Sequence, residues 1–332
     1  MRWTQASFLP QQIDEISSMD SPRIWIQAKI PGSALDQLTQ EFPTTRFLTD
    51  EEAEAGLDGV DAVFAEDPLP DAMVQQMRSL RWLQTSRGGA NAFLTATVKN
   101  RPITVTSSKG VHGTRFSELA IACIFALAKG LPHCWEEQRN KRWGKVFPEE
   151  VSGKTLGIVG LGTIGSALAR KAKALDMRVI ATKRQATDTP PYVDELGTPD
   201  FLPALLCQSD FVVISLASIP STENILGESE LRTMKKSAFL INLTGGKAIQ
   251  EDLLVRALKE RWFAGAALDT LPSRSIAADS ELWSLPNVML SFGTGGFTTR
   301  KWDDVLPIFV QNLRRFLDGK PLVNAIDKQL GY

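Results

Sequence analysis

The chain has 332 residues, 43% of them apolar and 23% charged, a size at which one hydrophobic core ordinarily gives way to two domains. Its 37 basic and 38 acidic residues leave a net charge of −1, and both signs are spread along the chain, which excludes the electrostatic footprint of a nucleic-acid binder. No apolar run is long enough to cross a bilayer, Met1 opens a polar segment without a secretory pattern, and Cys123, Cys134 and Cys207 have neither disulfide-framework nor zinc spacing. The expectation is a cytoplasmic protein with no metal, no membrane and no nucleic-acid partner, in which Cys123 and Cys207 are buried thiols in apolar helices.

Short apolar strands are predicted within RIWIQAK, TTRFLTD, DAVFAED, LRWLQTS and ITVTSS, with helical stretches between them. Buried parallel strands alternating with helices make an open α/β sheet, whose ligands meet the carboxyl ends of the strands. One such end is the turn Thr85-Ser86-Arg87-Gly88-Gly89. Its glycines allow backbone N–H groups to approach an anion, and an ordinary strand-to-helix turn is an equal reading. From Ser117 a long apolar helix runs through ELAIACIFALAKGL, followed by the polar, aromatic-bearing stretch HCWEEQRNKRWGKVF. The strand-helix rhythm restarts at Lys154 and continues through RVIATKR, FVVISLA, AFLINLT, FAGAALD and VMLSFG, the layout of a second parallel sheet. A last helix, WDDVLPIFVQNLRRFLDG, lies beyond the final strand and is placed to pack back on the first domain. The fold class is therefore α/β, with two Rossmann-like, doubly wound parallel-sheet domains and a cleft between them.

The segment Thr155-Leu156-Gly157-Ile158-Val159 reads as a buried strand, followed at once by Gly160-Leu161-Gly162-Thr163-Ile164-Gly165 and the helical run SALARKAKAL. In this strand-turn-helix order the first glycine makes the tight turn and the second lets a pyrophosphate approach the backbone. The third permits close helix-strand packing, and the helix N-terminus favours phosphate charge. Sites that prefer NAD carry an acid near the end of the next strand, about 20 residues on, for the adenosine ribose. Here that strand ends in Lys183 and Arg184, cations suited to the 2′-phosphate, so NADP(H) is preferred over NAD(H).

Several segments together resemble the D-isomer-specific 2-hydroxyacid dehydrogenase family: SSKGVHGTRFSELAIA, the glycine turn with KAKALDMRVIATKR, STENILGESELRTMKKSAFLINLTGG, AGAALD, LWSLPNVML and NLRRFLDGKPLVNAID. The resemblance implies a discontinuous substrate domain, 1–108 plus 299–332, around a Rossmann cofactor domain at 109–298, and a homodimer formed through the cofactor domain. It also implies cofactor contacts from Gly160, Gly162, Thr163, Ile164, Gly165, Leu216, Ala217 and Asp269, the last beside the nicotinamide carboxamide. The family's chemistry uses an arginine for the substrate carboxylate and a histidine acid-base oriented by an acid. In this sequence the arginine position falls on Gly245, the acid position on Arg274 or its neighbour Ser273, and the histidine position on Gly293. The only histidines are His112 and His133, both before the glycine turn.

Losing acid-base help removes roughly 10²–10⁴-fold in rate unless other groups replace it. The replacements available are largely cationic: Arg87 on the first-domain turn, Lys109 and His112 in the crossing, and Lys247 and Arg274 beside the vacated positions. His112 is the candidate that titrates near neutral pH, and each cation is also open to reading as a solvated surface charge. The expected function is an NADP(H)-dependent oxidoreductase with an altered active site, acting on a small anionic carbonyl or hydroxy compound. A non-redox lyase or isomerase, or a catalytically inactive dinucleotide sensor, uses the same parts.

Overall fold

A computed structural model describes residues 21–185, 188–244, 246–271 and 276–331. The chain divides into two compact units, one running to Ser108 and resuming at Trp302, the other Lys109–Lys301.

The first unit carries β1 (Arg23–Ile26), β2 (Arg46–Leu48), β3 (Ala62–Ala65), β4 (Trp82–Thr85) and β5 (Thr104–Ser107), all parallel in the order β2-β1-β3-β4-β5. Helices α1 (Gly32–Glu41), α2 (Asp50–Glu54), α3 (Asp71–Gln76) and α4 (Ala96–Asn100) connect them. Every residue of β3 and β4 is buried, as expected where helices cover both faces of a parallel sheet. The C-terminal helix, Lys301–Leu317, belongs to this unit from Trp302 onward. Phe309 stacks on Phe64 at 4.2 Å and on Trp82 at 5.6 Å, and Phe316 lies 5.2 Å from Trp82. Such aromatic pairs contribute about 0.5–1.5 kcal/mol each beyond the area they bury.

A buried polar chain fixes the helix in register. Trp82 Nε1 donates to Thr106 Oγ1 at 2.8 Å, the Thr106 hydroxyl donates to Gln84 Oε1 at 3.1 Å, and Asn312 Nδ2 donates to the same oxygen at 2.9 Å. Asn312 also donates to the Val323 carbonyl at 3.0 Å and accepts from the Val323 N–H at 2.8 Å.

The second unit contains α5 (Gly113–Ala128), α6 (Leu131–Arg139), β6 (Thr155–Val159), α7 (Thr163–Lys173), β7 (Arg178–Thr182) and β8 (Glu195–Gly197). It continues through α8 (Leu202–Gln208), β9 (Phe211–Ile214), α9 (Glu228–Thr233), β10 (Phe239–Asn242), α10 (Glu251–Lys259), β11 (Gly265–Leu268) and β12 (Val288–Leu290). Seven parallel strands lie in the order β12-β11-β10-β9-β6-β7-β8. The order reverses between β6 and β9, the switch point at which doubly wound sheets bind ligands. Among the described residues no single helix is long and apolar enough to cross a membrane.

Two local expectations need correction, and one strand was not foreseen. Strand β8 has no apolar alternation to announce it, and its three residues are all half-exposed. Helix α5 begins at Gly113, four positions before Ser117. Cys207 is exposed: in α8 the buried face is Leu202, Leu205 and Leu206, and one residue further turns the side chain about 100° toward solvent. Cys123 is buried as expected, and its thiol is pushed up to about 12 by burial first and by the negative charge of Asp269 second.

The Asn312 network yields a stability prediction. Asn312→Ala strands the Val323 N–H and removes the donors to Gln84 Oε1 and the Val323 carbonyl, and a buried group left without its partner costs about 1–3 kcal/mol. The variant is expected to unfold at lower urea concentration, with a loss of roughly 2–4 kcal/mol; an unchanged midpoint would remove the network from the account of how this helix is held.

Candidate dinucleotide site

The site starts at the end of β6. Gly160 sits at φ +102°, a conformation that side chains rarely adopt, and an added Cβ there would lie 3.1 Å from the Ser215 carbonyl oxygen. At Gly162 nothing lies within 4 Å of where a Cβ would be, so the backbone faces open space at the first turn of α7. At Gly165 a Cβ would come within 2.4 Å of the Gly160 carbonyl oxygen and 3.0 Å of Ile158 Cγ2, so α7 packs on the strand at glycine distance. Tight turn, open approach and close packing thus fall on three separate glycines. Thr163 is exposed at the N-terminus of the eleven-residue α7 and Ile164 is half-buried. Arg170, Lys171 and Lys173 occupy its last turn, complementing the helix dipole.

Thr182 joins this turn to the next strand. Its carbonyl accepts from Leu161 N–H at 2.8 Å and its hydroxyl from Gly160 N–H at 3.3 Å. Lys183 and Arg184 follow directly, and Lys183 is tied by its N–H to the Gly197 carbonyl of β8 at 2.9 Å. From the other side Ser215 donates through its hydroxyl to the Gly160 carbonyl at 2.6 Å. The Leu216 carbonyl accepts from Thr244 Oγ1 at 2.9 Å, and that of Ala217 from Thr222 Oγ1 at 2.6 Å. Sequence reasoning passed over Thr182 and Ser215, although both stand at strand ends beside residues it selected.

A second cluster forms beyond β11 and β12. Asp269 is buried and its carboxylate is taken up by the following loop: Ser291 Oγ donates at 2.7 Å, Thr294 Oγ1 at 3.4 Å and Gly295 N–H at 3.2 Å. Gly295 has no room for a side chain, since a Cβ would lie 2.6 Å from the Phe116 ring of α5. Phe116 meets His112 edge-on at 5.9 Å, and Arg115 Nη1 donates to the Gly296 carbonyl at 3.4 Å. Next to His112, Gly113 packs against α7, where its Cβ would stand 3.2 Å from Thr163 Cγ2. His112, Thr163 and the Asp269 loop are therefore linked through successive contacts at one end of this sheet.

Other candidates fare differently. Gly293, at φ +76°, starts the loop's helical turn 3.9 Å from Phe297 by the same measure. Lys109 is exposed. Arg87, in the first unit, is engaged by the Asp67 carboxylate at 2.6 Å and the Glu66 carbonyl at 2.8 Å, and Lys247 pairs with Glu223 at 3.1 Å. Gly245, Ser273 and Arg274 lie outside the described residues. Among the described residues no cluster of His, Cys, Asp or Glu has the form of a metal site.

The β6 turn, the N-terminus of α7 and the strand order define a dinucleotide-binding α/β protein, and the open backbone at Gly162 fits a pyrophosphate. Residues 121–292, just over half of the chain, match the model of the D-isomer specific 2-hydroxyacid dehydrogenase NAD binding domain. A glyoxylate reductase from Thermococcus gammatolerans is 29% identical over 93% of this chain and 97% of its own, and one from Thermococcus litoralis is 34% identical over 69% and 72%. The crystal structure of a D-isomer specific 2-hydroxyacid dehydrogenase family protein from Aeromonas salmonicida superposes with a TM-score of 0.82 at 26% identity, covering 93% of this chain and 99% of that one. The chain belongs to the D-isomer specific 2-hydroxyacid dehydrogenase family, a family of NAD(P)-dependent oxidoreductases.

The glycines give a paired prediction. Gly162→Ala adds a methyl to open space and should hold stability within about 0.5 kcal/mol of the parent, while NADPH affinity measured by calorimetry drops at least about tenfold. Gly165→Val should unfold more easily by roughly 1–3 kcal/mol, because overpacking forces α7 off β6. Undiminished NADPH affinity in the Gly162 variant would move the pyrophosphate elsewhere.

Proposed function

We propose that this chain is an NADP(H)-dependent oxidoreductase with an altered active site, acting on a small anionic carbonyl or hydroxy compound. The observation that carries the cofactor half of this reading is the double hydrogen bond of Thr182 to the glycine turn, which holds Lys183 and Arg184 at the adenosine end of the site. Two cations there complement a 2′-phosphate, and the acid that would take ribose hydroxyls is missing. The names of the glyoxylate reductase relatives support a small, anionic substrate.

When bound, NADPH supplies the hydride. The chain must then supply a proton to the carbonyl oxygen and a positive charge for the substrate's anionic group. His112 is the proton donor in this reading: it is half-buried, one residue from the contact between Gly113 and Thr163 and edge-on to the ring that abuts the Asp269 loop. Lys109 and Arg115 on either side bring positive charge to the start of α5. Arg87 has its guanidinium bonded within its own unit, to the Asp67 carboxylate and the Glu66 carbonyl. Asp269 orders the loop through three donors and offers its remaining acceptor capacity to the nicotinamide amide, with Thr163, Ile164, Leu216 and Ala217 lining the rest.

The reading extends to a homodimer formed through the cofactor-binding unit, in the cytoplasm. Leu131, Trp135, Trp143 and Phe147 are all exposed in one stretch around α6, Trp143 at 102% and Phe147 at 90%. Solvated apolar side chains gathered in one segment are the mark of a surface meant for a partner, and a second copy is the one the family resemblance supplies.

Three experiments test these points. Lys183→Ala combined with Arg184→Ala should weaken NADPH binding at least about tenfold more than NADH binding, and equal losses would return the cofactor preference to NAD. With the substrate found from a panel of 2-oxo acids, aldehydes and dicarboxylates, His112→Ala should lower kcat by roughly 10²-fold or more; an unaltered kcat would assign the proton to another group. For assembly, sedimentation should give a dimer that Trp143→Ser with Phe147→Ser converts to monomer. A parent chain that sediments as monomer at micromolar concentration would end the dimer reading.

A further inference from the structure

The loop that holds Asp269 also displays aromatic rings. Phe292 is 68% exposed, Phe297 76% and Trp283 50%, and the Phe292 and Trp283 rings stack at 6.0 Å with 28° between planes. Phe292 takes φ +55°, the left-handed region that is unfavourable for a bulky side chain. The chain accepts that strain immediately after Ser291, whose hydroxyl holds Asp269, and immediately before Gly293. Strain of this kind persists where the surroundings over-determine it, and such places cluster at ligand clamps. Here the clamp is explicit: Ser291 and Gly295 both bond Asp269, so the residues between them have little freedom. A large ring is thereby held out in solvent beside a position with no side chain.

We propose that Trp283, Phe292 and Phe297 form the recognition surface for the substrate's side chain, and that the preferred substrate is a 2-oxo acid bearing an aryl or bulky apolar group. The inference rests on the oxidoreductase reading above and specifies its substrate class. Three observations favour a small molecule as the occupant of this surface. Phe292 and Phe297 follow the carboxyl end of β12, where open α/β sheets receive ligands, and Trp283 joins them through its stack on Phe292. Gly293 sets no side chain against the Phe297 ring, which a Cβ there would meet at 3.9 Å. Arg115, bonded to Gly296 in the same loop, supplies a positive charge next to the apolar surface, which matches a molecule with a carboxylate at one end and an aromatic body at the other. Flat, stacked rings accept another ring by offset stacking, whereas glyoxylate has no side chain to place there.

The test compares phenylpyruvate with glyoxylate in NADPH oxidation by the parent chain, Phe292→Ala and Phe292→Gly. The parent is expected to favour phenylpyruvate by more than about tenfold in kcat/KM, in line with the discrimination that apolar pockets achieve. Both variants should lower that ratio about tenfold. Phe292→Gly relieves the left-handed backbone, so its thermal midpoint should equal or exceed the parent's, which separates lost recognition from lost folding. A parent that prefers glyoxylate, or a ratio indifferent to Phe292, overturns the proposal. Because turnover also requires the redox reading to hold, 3-phenylpropionate and propionate are titrated by calorimetry with and without NADP+. Tighter binding of 3-phenylpropionate that Phe292→Ala abolishes, in a protein that oxidises NADPH with neither oxo acid, upholds the aromatic surface and overturns the oxidoreductase reading alone. Equal binding of the two acids overturns the aromatic surface.

Discussion

The approach of α7 to β6 at Gly165 is the constraint on which the rest of the site depends. A Cβ at this position would overlap the Gly160 carbonyl at 2.4 Å, so only glycine lets the helix start where it does. With the helix seated, its first N–H groups and its dipole point out of the turn, and Gly162 leaves their approach open. The same seating presents Thr163 to Gly113, and through Gly113 it positions the start of α5 with His112. From there Phe116 reaches Gly295, and Gly295 reaches Asp269. Two further glycines, Gly113 and Gly295, repeat the device of Gly165, each allowing a backbone to come close enough to pass position from one element to the next.

Electrostatics then divides this unit into regions. The end of β7 carries Lys183 and Arg184, directly after Thr182, which bonds the glycine turn. Beyond β11 Asp269, the one buried carboxylate among the described residues, accepts from hydroxyl and amide donors of the following loop. Arg115, in the first turn of α5, reaches the same loop at the Gly296 carbonyl. The buried charge of Asp269 is satisfied by the loop itself.

Much of this was legible in the sequence, and the legible part has a common physical character. Strand-turn-helix order, apolar strand runs and glycine spacing are local signals, and each carries its geometric reason with it; the roles of Gly160, Gly162 and Gly165 can be read from spacing alone. The return of the C-terminal helix to the first unit was also readable, because WDDVLPIFVQNLRRFLDG has an apolar stripe and lies past the last strand of the second sheet. What was not legible depends on contacts distant in sequence. Thr182 and Ser215 matter because both bond Gly160, which lies 22 and 55 positions away from them. Ser291 and Gly295 matter because they meet Asp269, and nothing in LSFGTGG advertises a carboxylate partner. Cys207 was misjudged for a simpler reason: an apolar neighbourhood in sequence gives no helix phase, and in a seven-residue helix one position decides between core and solvent.

Cys123 adds a consequence of a different kind. Its thiol sits behind Asp269 with its ionisation pushed up to about 12, so at physiological pH almost no thiolate exists there, and the thiolate is the form that peroxides, disulfides and alkylating agents attack. Cys207 is exposed on α8, and Cys134, on α6 within the stretch proposed to meet a second copy, is exposed in the single chain. Oxidative modification therefore falls on the surface of α8 and, in the monomer, on that of α6, while Cys123 stays reduced as long as the unit stays folded, and the charge of Asp269 is part of what protects it.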